Sequence, residues 1–258
     1  MAVIYPSPIF GPIHSRRLGV SLGINLMPGD GKICSFDCLY CECGLNKDHP
    51  SHLPYPSRKE VCMRLEERLK EMKADGPAPD VLTFAGNGEP TAHPDFPAII
   101  DDVVALRDGY FPAARVSVLS NSTFIFRPAV FGALLKVDNN ILKLDTVDPA
   151  YIRLVNRPGG SYDVERMIDR MCAFQGHCLV QTMFMCGTSS DGTSVDNTGD
   201  EYVLPWLDAV RRIAPRQVMV YTIDRATPCT TLQKAAPSVL DGIAVRVEAL
   251  GIPCSASY

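Results

Sequence analysis

The 258-residue sequence holds no apolar run approaching the ~20 residues that cross a bilayer, which excludes a membrane-spanning helix. Its first residues, MAVIYPSPIFGPIHSRRLG, place prolines and a histidine where a secretory segment needs an unbroken apolar stretch, so the expected compartment is the cytoplasm. An excess of one charge is also missing. Lys and Arg number 25 against 29 Asp and Glu, a formal charge of −4, and nothing global attracts a polyanion. Nucleic acid would need a local basic patch, for which Arg16 and Arg17 are candidates. The histidines at 14, 49, 52, 93 and 177 form no HxxxH or HExxH pair, and no Walker loop or nucleophile elbow is present. A mononuclear metal hydrolase therefore finds no support. No linker or internal repeat interrupts the chain.

What is present is an ordinary folding composition, 46% hydrophobic and 21% charged. Apolar runs of strand length alternate with segments of helical period. Strands are expected at 21–26, 81–85, 114–120, 141–146, 178–185 and 217–222. Helices are expected at 57–73, 96–106, 128–135, 162–174, 201–213 and 237–250. In the first helix Ser57 can cap, Glu60 completes a capping box, and Val61, Leu65, Leu69 and Met72 form one stripe. Six βα units imply a parallel sheet with right-handed crossovers, either open or closing into a partial barrel. In both, chemistry belongs at the C-terminal ends of the strands.

The sharpest signal is Cys34-Ser-Phe-Asp-Cys38-Leu-Tyr-Cys41, directly after the first expected strand. Ten cysteines in 258 residues would give such a triplet by chance about 0.015 times. In a reducing compartment, organised spacing reads as ligation rather than disulfides. A structural zinc site wants four ligands; Cys43 offers a fourth, but Cys41-Glu42-Cys43 is tight and no paired CxxC follows. A four-cysteine ferredoxin-type cluster would have the same difficulty. Three thiolates on a [4Fe-4S] cluster leave one iron open, where an exogenous ligand can bind.

This CxxxCxxC run, with Tyr40 before its last cysteine, resembles the signature of the radical S-adenosylmethionine (radical SAM) superfamily. The resemblance implies a partial (βα)6 barrel of the TIM-like type and two cofactors, a [4Fe-4S] cluster held by Cys34, Cys38 and Cys41 and S-adenosylmethionine on the open iron. It also implies an enzyme that cleaves this cofactor reductively to a 5′-deoxyadenosyl radical, with an electron donor such as flavodoxin or ferredoxin. The segment Gly86-Asn87-Gly88-Glu89-Pro90 resembles the family's GGEP motif; in isolation it would read as an ordinary glycine-rich turn. Ser120, Asn121 and Asp145, at the ends of the third and fourth expected strands, match positions where family members contact the ribose or the methionyl carboxylate. As plain polar residues they would cap a helix and open a turn. Gln181 and Thr182 interrupt an apolar strand and suggest one polar position facing the barrel interior, which the resemblance makes a further cofactor candidate. Arg225 closes the last expected strand, either meeting a carboxylate or phosphate or simply solvated.

The combination of SRRLG, SLGIN, the cysteine triplet, GNGEPT, LVNRPGG at 154–160 and YTIDR resembles short stand-alone enzymes related to the radical SAM core of the tRNA 4-demethylwyosine synthases. Unlike those enzymes, the sequence shows no flavodoxin-like domain and no N-terminal cysteine triad, and its charge is acidic. The expected substrate is a peptide or small molecule, with tRNA as the alternative and a non-catalytic zinc or iron-sulfur protein as a further one. Cys172, Cys178 and Cys186 are spaced unlike a standard second cluster and read as buried thiols. The expected organisation is a single domain: an N-terminal extension (1–20), a barrel core (21–222) and a C-terminal helix and tail (223–258).

Overall fold

The computed structural model describes residues 2–15 and 19–258; Arg16 and Arg17 of the basic candidate patch lie outside them. An eight-stranded sheet organises the chain in the order β1 (Ile9–Ser15), β2 (Gly19–Ile24), β3 (Val81–Phe84), β4 (Arg115–Ser120), β5 (Asn139–Lys143), β6 (Leu179–Met183), β8 (Gln217–Tyr221) and β10 (Cys254–Ser257). A separate antiparallel pair joins β7 (Met185–Gly187) to β9 (Leu232–Lys234). From β2 onward every pairing in the large sheet is parallel. Only β1 is antiparallel, folding back on β2 as a hairpin.

Helices α1 (Arg58–Asp75), α2 (Phe96–Tyr110), α3 (Pro128–Leu134), α4 (Pro149–Tyr151), α5 (Val164–Cys172), α6 (Asp200–Ile213) and α7 (Pro237–Glu248) occupy the crossovers. The Ser57 hydroxyl accepts from the Glu60 amide to start α1, and Val61, Leu65, Leu69 and Met72 are its buried stripe, as the sequence pattern requires.

Alternation along the strands separates two interiors. Leu22, Ile24, Leu82, Phe84, Val116, Val118, Leu142, Val180, Val218 and Val220 pack outward under the helices in the main core. The intervening residues Ser21, Gly23, Thr83, Leu119, Ile141, Gln181, Met219 and Ser257 all line one cavity of about 410 Å³. One face of seven strands can surround a single cavity only if the sheet curls, so the sheet is a partial barrel around a lumen. Side chains from neighbouring strands cross-link low in the lumen: Ser21 pairs with Thr83 at 2.9 Å, Asn139 donates to Ser117 at 2.9 Å, and Gln217 donates to Ser255 at 3.3 Å. Beside them Ile141, Leu179 and Met219 form an apolar cluster. At Gly23, an added Cβ would sit 2.2 Å from Phe10 Cζ, so this glycine lets the Phe10 ring lie on the strand and close the side of the lumen.

The structure shifts several expected boundaries. β5 begins at Asn139 and stops at Lys143, which leaves Asp145 beyond the strand. The expected 178–185 strand divides at Phe184, whose amide donates to the Tyr221 carbonyl at 2.8 Å. Neither β1, rich in proline and glycine, nor β10, the tail expected only as an end segment, shows strand periodicity in the sequence; both are set by pairing with a neighbour.

Candidate functional site

The three cysteines lie on the long connection after β2, and the two motif segments that flank it in space grip it through the backbone. The Ile33 amide donates to the Asn87 carbonyl at 2.9 Å, and the Glu89 amide donates back to the Ile33 carbonyl at 3.2 Å. From the other side, Asp37 donates to the Asn156 carbonyl at 3.0 Å, Leu39 to Val155 at 2.9 Å, and Gly159 to Ser35 at 2.8 Å. The segment 154–160 is thus a clamp on the cysteine loop. It enters through a π turn at Ile152–Asn156 and leaves through Arg157 in the left-handed region, φ 50°. Gly88 needs its own freedom: at φ 144° it runs so close to the loop that a Cβ would lie 1.8 Å from the Ile33 carbonyl oxygen.

Cys38 is buried, whereas Cys34 and Cys41 are partly exposed, and Tyr40, Cys41 and Glu42 line the lumen. Among the described residues no three Cys, His, Asp or Glu side chains converge to hold a single metal ion. Three thiols on one loop are the soft donors an iron-sulfur cluster takes, one to each of three irons, so the chemistry of the donor set fits a cluster. Burial pushes the Cys34 thiol up to about 12 and raises Cys38 as well. Cys41 is held down at about 6, first by the hydrogen bond from Cys43 and then by the Lys32 ammonium, while Cys43 is correspondingly raised. Cys43 is buried, and its one S–H is shared between Cys41 and the Gly86 carbonyl, 3.4 Å away.

The expected cofactor residues fall into two groups. Glu89, Ser120 and Asn121 come together: Ser120 Oγ donates to Glu89 Oε1 at 2.9 Å and the Asn121 amide to Oε2 at 2.6 Å, while Asn121 Nδ2 reaches Cys34 Sγ at 3.6 Å. Thr91 also donates to Glu89 through its amide and hydroxyl. Burial raises the Glu89 carboxyl, and these donors work against that rise. The second group is Tyr40 and Asp145. Tyr40 donates to Asp145, which also takes Asn156 Nδ2 at 2.8 Å, the Lys143 ammonium at 3.0 Å and the Met183 amide at 3.0 Å. Of the pair in β6, Gln181 lines the lumen and Thr182 points away, its hydroxyl donating to the Leu144 carbonyl at 2.8 Å.

Two expected residues serve the scaffold. Asn87 is fully buried, and its amide holds Tyr5 N at 2.8 Å, the Tyr5 carbonyl at 2.8 Å and the Pro28 carbonyl at 2.9 Å. Arg225 lines the lumen and also donates to Glu42 and to the Tyr5 hydroxyl, each at 2.6 Å, so the end of β8 is tied to the cysteine loop. Gly86 does line the lumen. Cys172 and Cys178 lie at or before the N-terminal end of β6 and Cys186 beyond its C-terminal end, so the strand separates them.

Lys32, Lys143 and Asn156 escaped the sequence reading. Lys143 and Asn156 sit in segments that reading had singled out, LKLDT and LVNRPGG, but nothing in the pattern marks a lysine at a strand end as buried. Burial by itself would lower Lys143; the Asp145 and Cys38 charges raise it instead. No helix among the described residues is long and apolar enough to cross a membrane.

Residues 30–192 match the radical SAM superfamily. A UPF0026 protein of Methanocaldococcus jannaschii is 34% identical over 74% of this chain and 58% of its own length, so the chain spans little more than half of that relative. Among solved structures, a radical SAM methyltransferase from Sphaerobacter thermophilus superposes with TM-score 0.66 over 92% of this chain and 66% of the other, at 12% identity. Streptococcus suis SuiB bound to S-adenosylmethionine gives TM-score 0.63 over 89% of this chain and 49% of the other, at 14% identity. The fold is therefore shared at a distance where sequence identity has faded, and the family follows from the match over residues 30–192. The chain belongs to the radical SAM superfamily, whose enzymes work with a [4Fe-4S] cluster and S-adenosylmethionine.

Proposed function

We propose that Cys34, Cys38 and Cys41 hold the [4Fe-4S] cluster at the mouth of the lumen, and that the chain is an enzyme acting on a peptide or small molecule within that lumen. Held by Cys34, Cys38 and Cys41, the cluster would supply the single electron for reductive cleavage of S-adenosylmethionine and so the radical chemistry on substrate. The observation that carries this reading is the placement of Tyr40, Cys41 and Gly86 on the wall of one cavity with Gln181, Met183 and Tyr221.

The residues of the chain bind and orient. The turn at Gly86–Glu89 brings backbone close to the cysteine loop and offers acceptors to the ammonium of a methionyl group. Asn121, next to Cys34, is the candidate to meet a carboxylate or ribose hydroxyl, and Ser120, whose hydroxyl donates to Glu89, would do so only by exchanging that bond. Asp145 takes the ribose only by exchanging one of its present donors, since Tyr40, Lys143, Asn156 and Met183 all reach it. Phe10, Ile141, Leu119 and Met219 keep water from the deeper lumen.

A neighbouring structure of the same fold is that of SuiB bound to precursor peptide SuiA, which supports a peptide class. The tRNA alternative rests on the motif resemblance to 4-demethylwyosine synthases. An electron donor of flavodoxin or ferredoxin type completes the reaction. Residues 1–258 are taken as one unit on this reading. The test is electron paramagnetic resonance of the reconstituted, dithionite-reduced protein with and without S-adenosylmethionine. A change in the cluster signal on adding the cofactor is expected, because the cofactor would bind the iron that no cysteine holds; an unchanged signal overturns the reading.

A further inference from the structure

Lys32 is a buried cation without an adequate anion. Its side chain is 1% exposed, yet its ammonium has as partners the Gly44 carbonyl at 2.7 Å and Asp37 Oδ1 at a long 3.4 Å. Asp37 is itself 25% exposed, and the same Oδ1 accepts the Asn46 amide at 2.7 Å, so its charge is divided and partly screened. An ammonium taken out of water costs several kcal/mol unless paired and hydrogen-bonded. One carbonyl and a shared, distant carboxylate do not meet that requirement. The other lysine at the site, the partly buried Lys143, is different: Asp145, almost fully buried, lies 3.0 Å away. The cysteine loop itself wraps this ammonium: Asp37 stands between Cys34 and Cys38, and Gly44, whose carbonyl takes the ammonium, donates its amide to the Cys41 carbonyl at 2.9 Å. Negative charge adequate to Lys32 arises there when the three thiols ligate as thiolates.

We propose that Lys32 is the counterion of the iron-sulfur cluster: a positioning residue whose fixed charge, held against the cysteine loop by Gly44, compensates the three thiolates and raises the cluster's reduction potential. The proposal rests on the cluster reading above. Three thiolates outweigh the positive core, so the bound assembly is anionic and gains a further negative charge on reduction. A buried cation beside it stabilises the reduced form more than the oxidised one. The same contacts explain the local architecture. The Lys32 amide donates to the His49 carbonyl at 2.8 Å while its ammonium reaches Gly44, so one residue ties both arms of the 32–49 loop.

The test is potentiometric titration of the reconstituted cluster, followed by electron paramagnetic resonance, in the parent, K32M and D37N. Iron and sulfide content and circular dichroism are measured on each protein. K32M removes the charge and keeps the stem; its midpoint is expected to shift to lower potential at equal iron content. D37N removes the competing carboxylate and is expected to shift the midpoint the other way. An unchanged midpoint in fully loaded K32M overturns the proposal. Should K32M fail to fold or load, K32Q, which keeps a hydrogen-bond donor for Gly44 and loses the charge, decides: a lower midpoint at equal iron content supports the counterion role and an unchanged one overturns it. Failure of the parent to load a cluster would instead refute the cluster reading itself, so the two failures are distinguishable.

Discussion

The phenol of Tyr40, on the cysteine loop, donates a hydrogen bond to the carboxylate of Asp145, 105 residues later and just beyond β5. Two residues that the family resemblance marks separately for cofactor contact are thus in contact with each other, and Lys143 lies over the Tyr40 ring at 4.4 Å. The cysteine loop is fastened to the barrel by this ionic group as well as by backbone.

Removing the anion should therefore be costly. In D145A the Lys143 ammonium, 16% exposed, loses its carboxylate and the Met183 amide loses its acceptor. The expected loss is about 3–5 kcal/mol of unfolding free energy by urea titration, the range for an uncompensated buried charge. A loss below about 1 kcal/mol would show that the group is solvated in solution.

The ligand assignment separates four neighbouring thiols. Single alanine replacements of Cys34, Cys38 or Cys41 should abolish stable iron and sulfide binding after anaerobic reconstitution. C43S should retain it, because Cys43 is spent on Cys41 and the Gly86 carbonyl. Retention of zinc rather than iron, lost again in C43S, would favour the four-thiolate site instead.

Glycine positions give opposite signs. G88A drives a Cβ to 1.8 Å from the Ile33 carbonyl oxygen at φ 144°, so it should displace the cysteine loop and reduce iron content. G242A, inside α7 with nothing within 4 Å of the new Cβ, should stabilise by about 0.5–1 kcal/mol through helix propensity. Equal thermal shifts in the two variants would contradict this reading of the backbone.

A pH effect is expected at the foot of the barrel. Asp138 Oδ2 accepts the Val116 amide and Arg107 Nη1, each at 2.7 Å. Burial would raise this carboxyl, but those donors hold it below its ordinary value. A lowered folded-state value gives stability that is present above the unfolded value of about 3.9 and lost as pH falls below it. D138N should therefore cost about 1 kcal/mol at pH 7, toward the low end because the carboxylate is 40% exposed. That difference should shrink at pH 3; a constant difference by urea titration would assign it to packing.

The sequence makes the six βα units legible because each strand carries its own apolar run and each crossover its own helical stripe, Val61 to Met72 being the clearest. The cysteine triplet is equally legible, since its spacing is local. What the sequence does not show is how side chains are spent. Asn87 looks like part of a ligand cradle but holds Tyr5 and Pro28, and Arg225 looks free for substrate but meets Glu42 and Tyr5. These partners lie up to 220 residues away, and no periodicity encodes them. Lys32 is missed for a related reason: a lysine in a polar loop reads as solvated until the fold buries it. Conversely, the choice between Gln181 and Thr182 is set by strand register, which the structure supplies.

The most direct test of the central claim is anaerobic reduction of the reconstituted protein with S-adenosylmethionine, followed by chromatographic detection of 5′-deoxyadenosine, beside a Cys34, Cys38 and Cys41 triple-alanine control. The account predicts 5′-deoxyadenosine from the parent and none from the control. A parent that carries its full iron and sulfide yet yields no 5′-deoxyadenosine, with dithionite or with flavodoxin as donor, would contradict it.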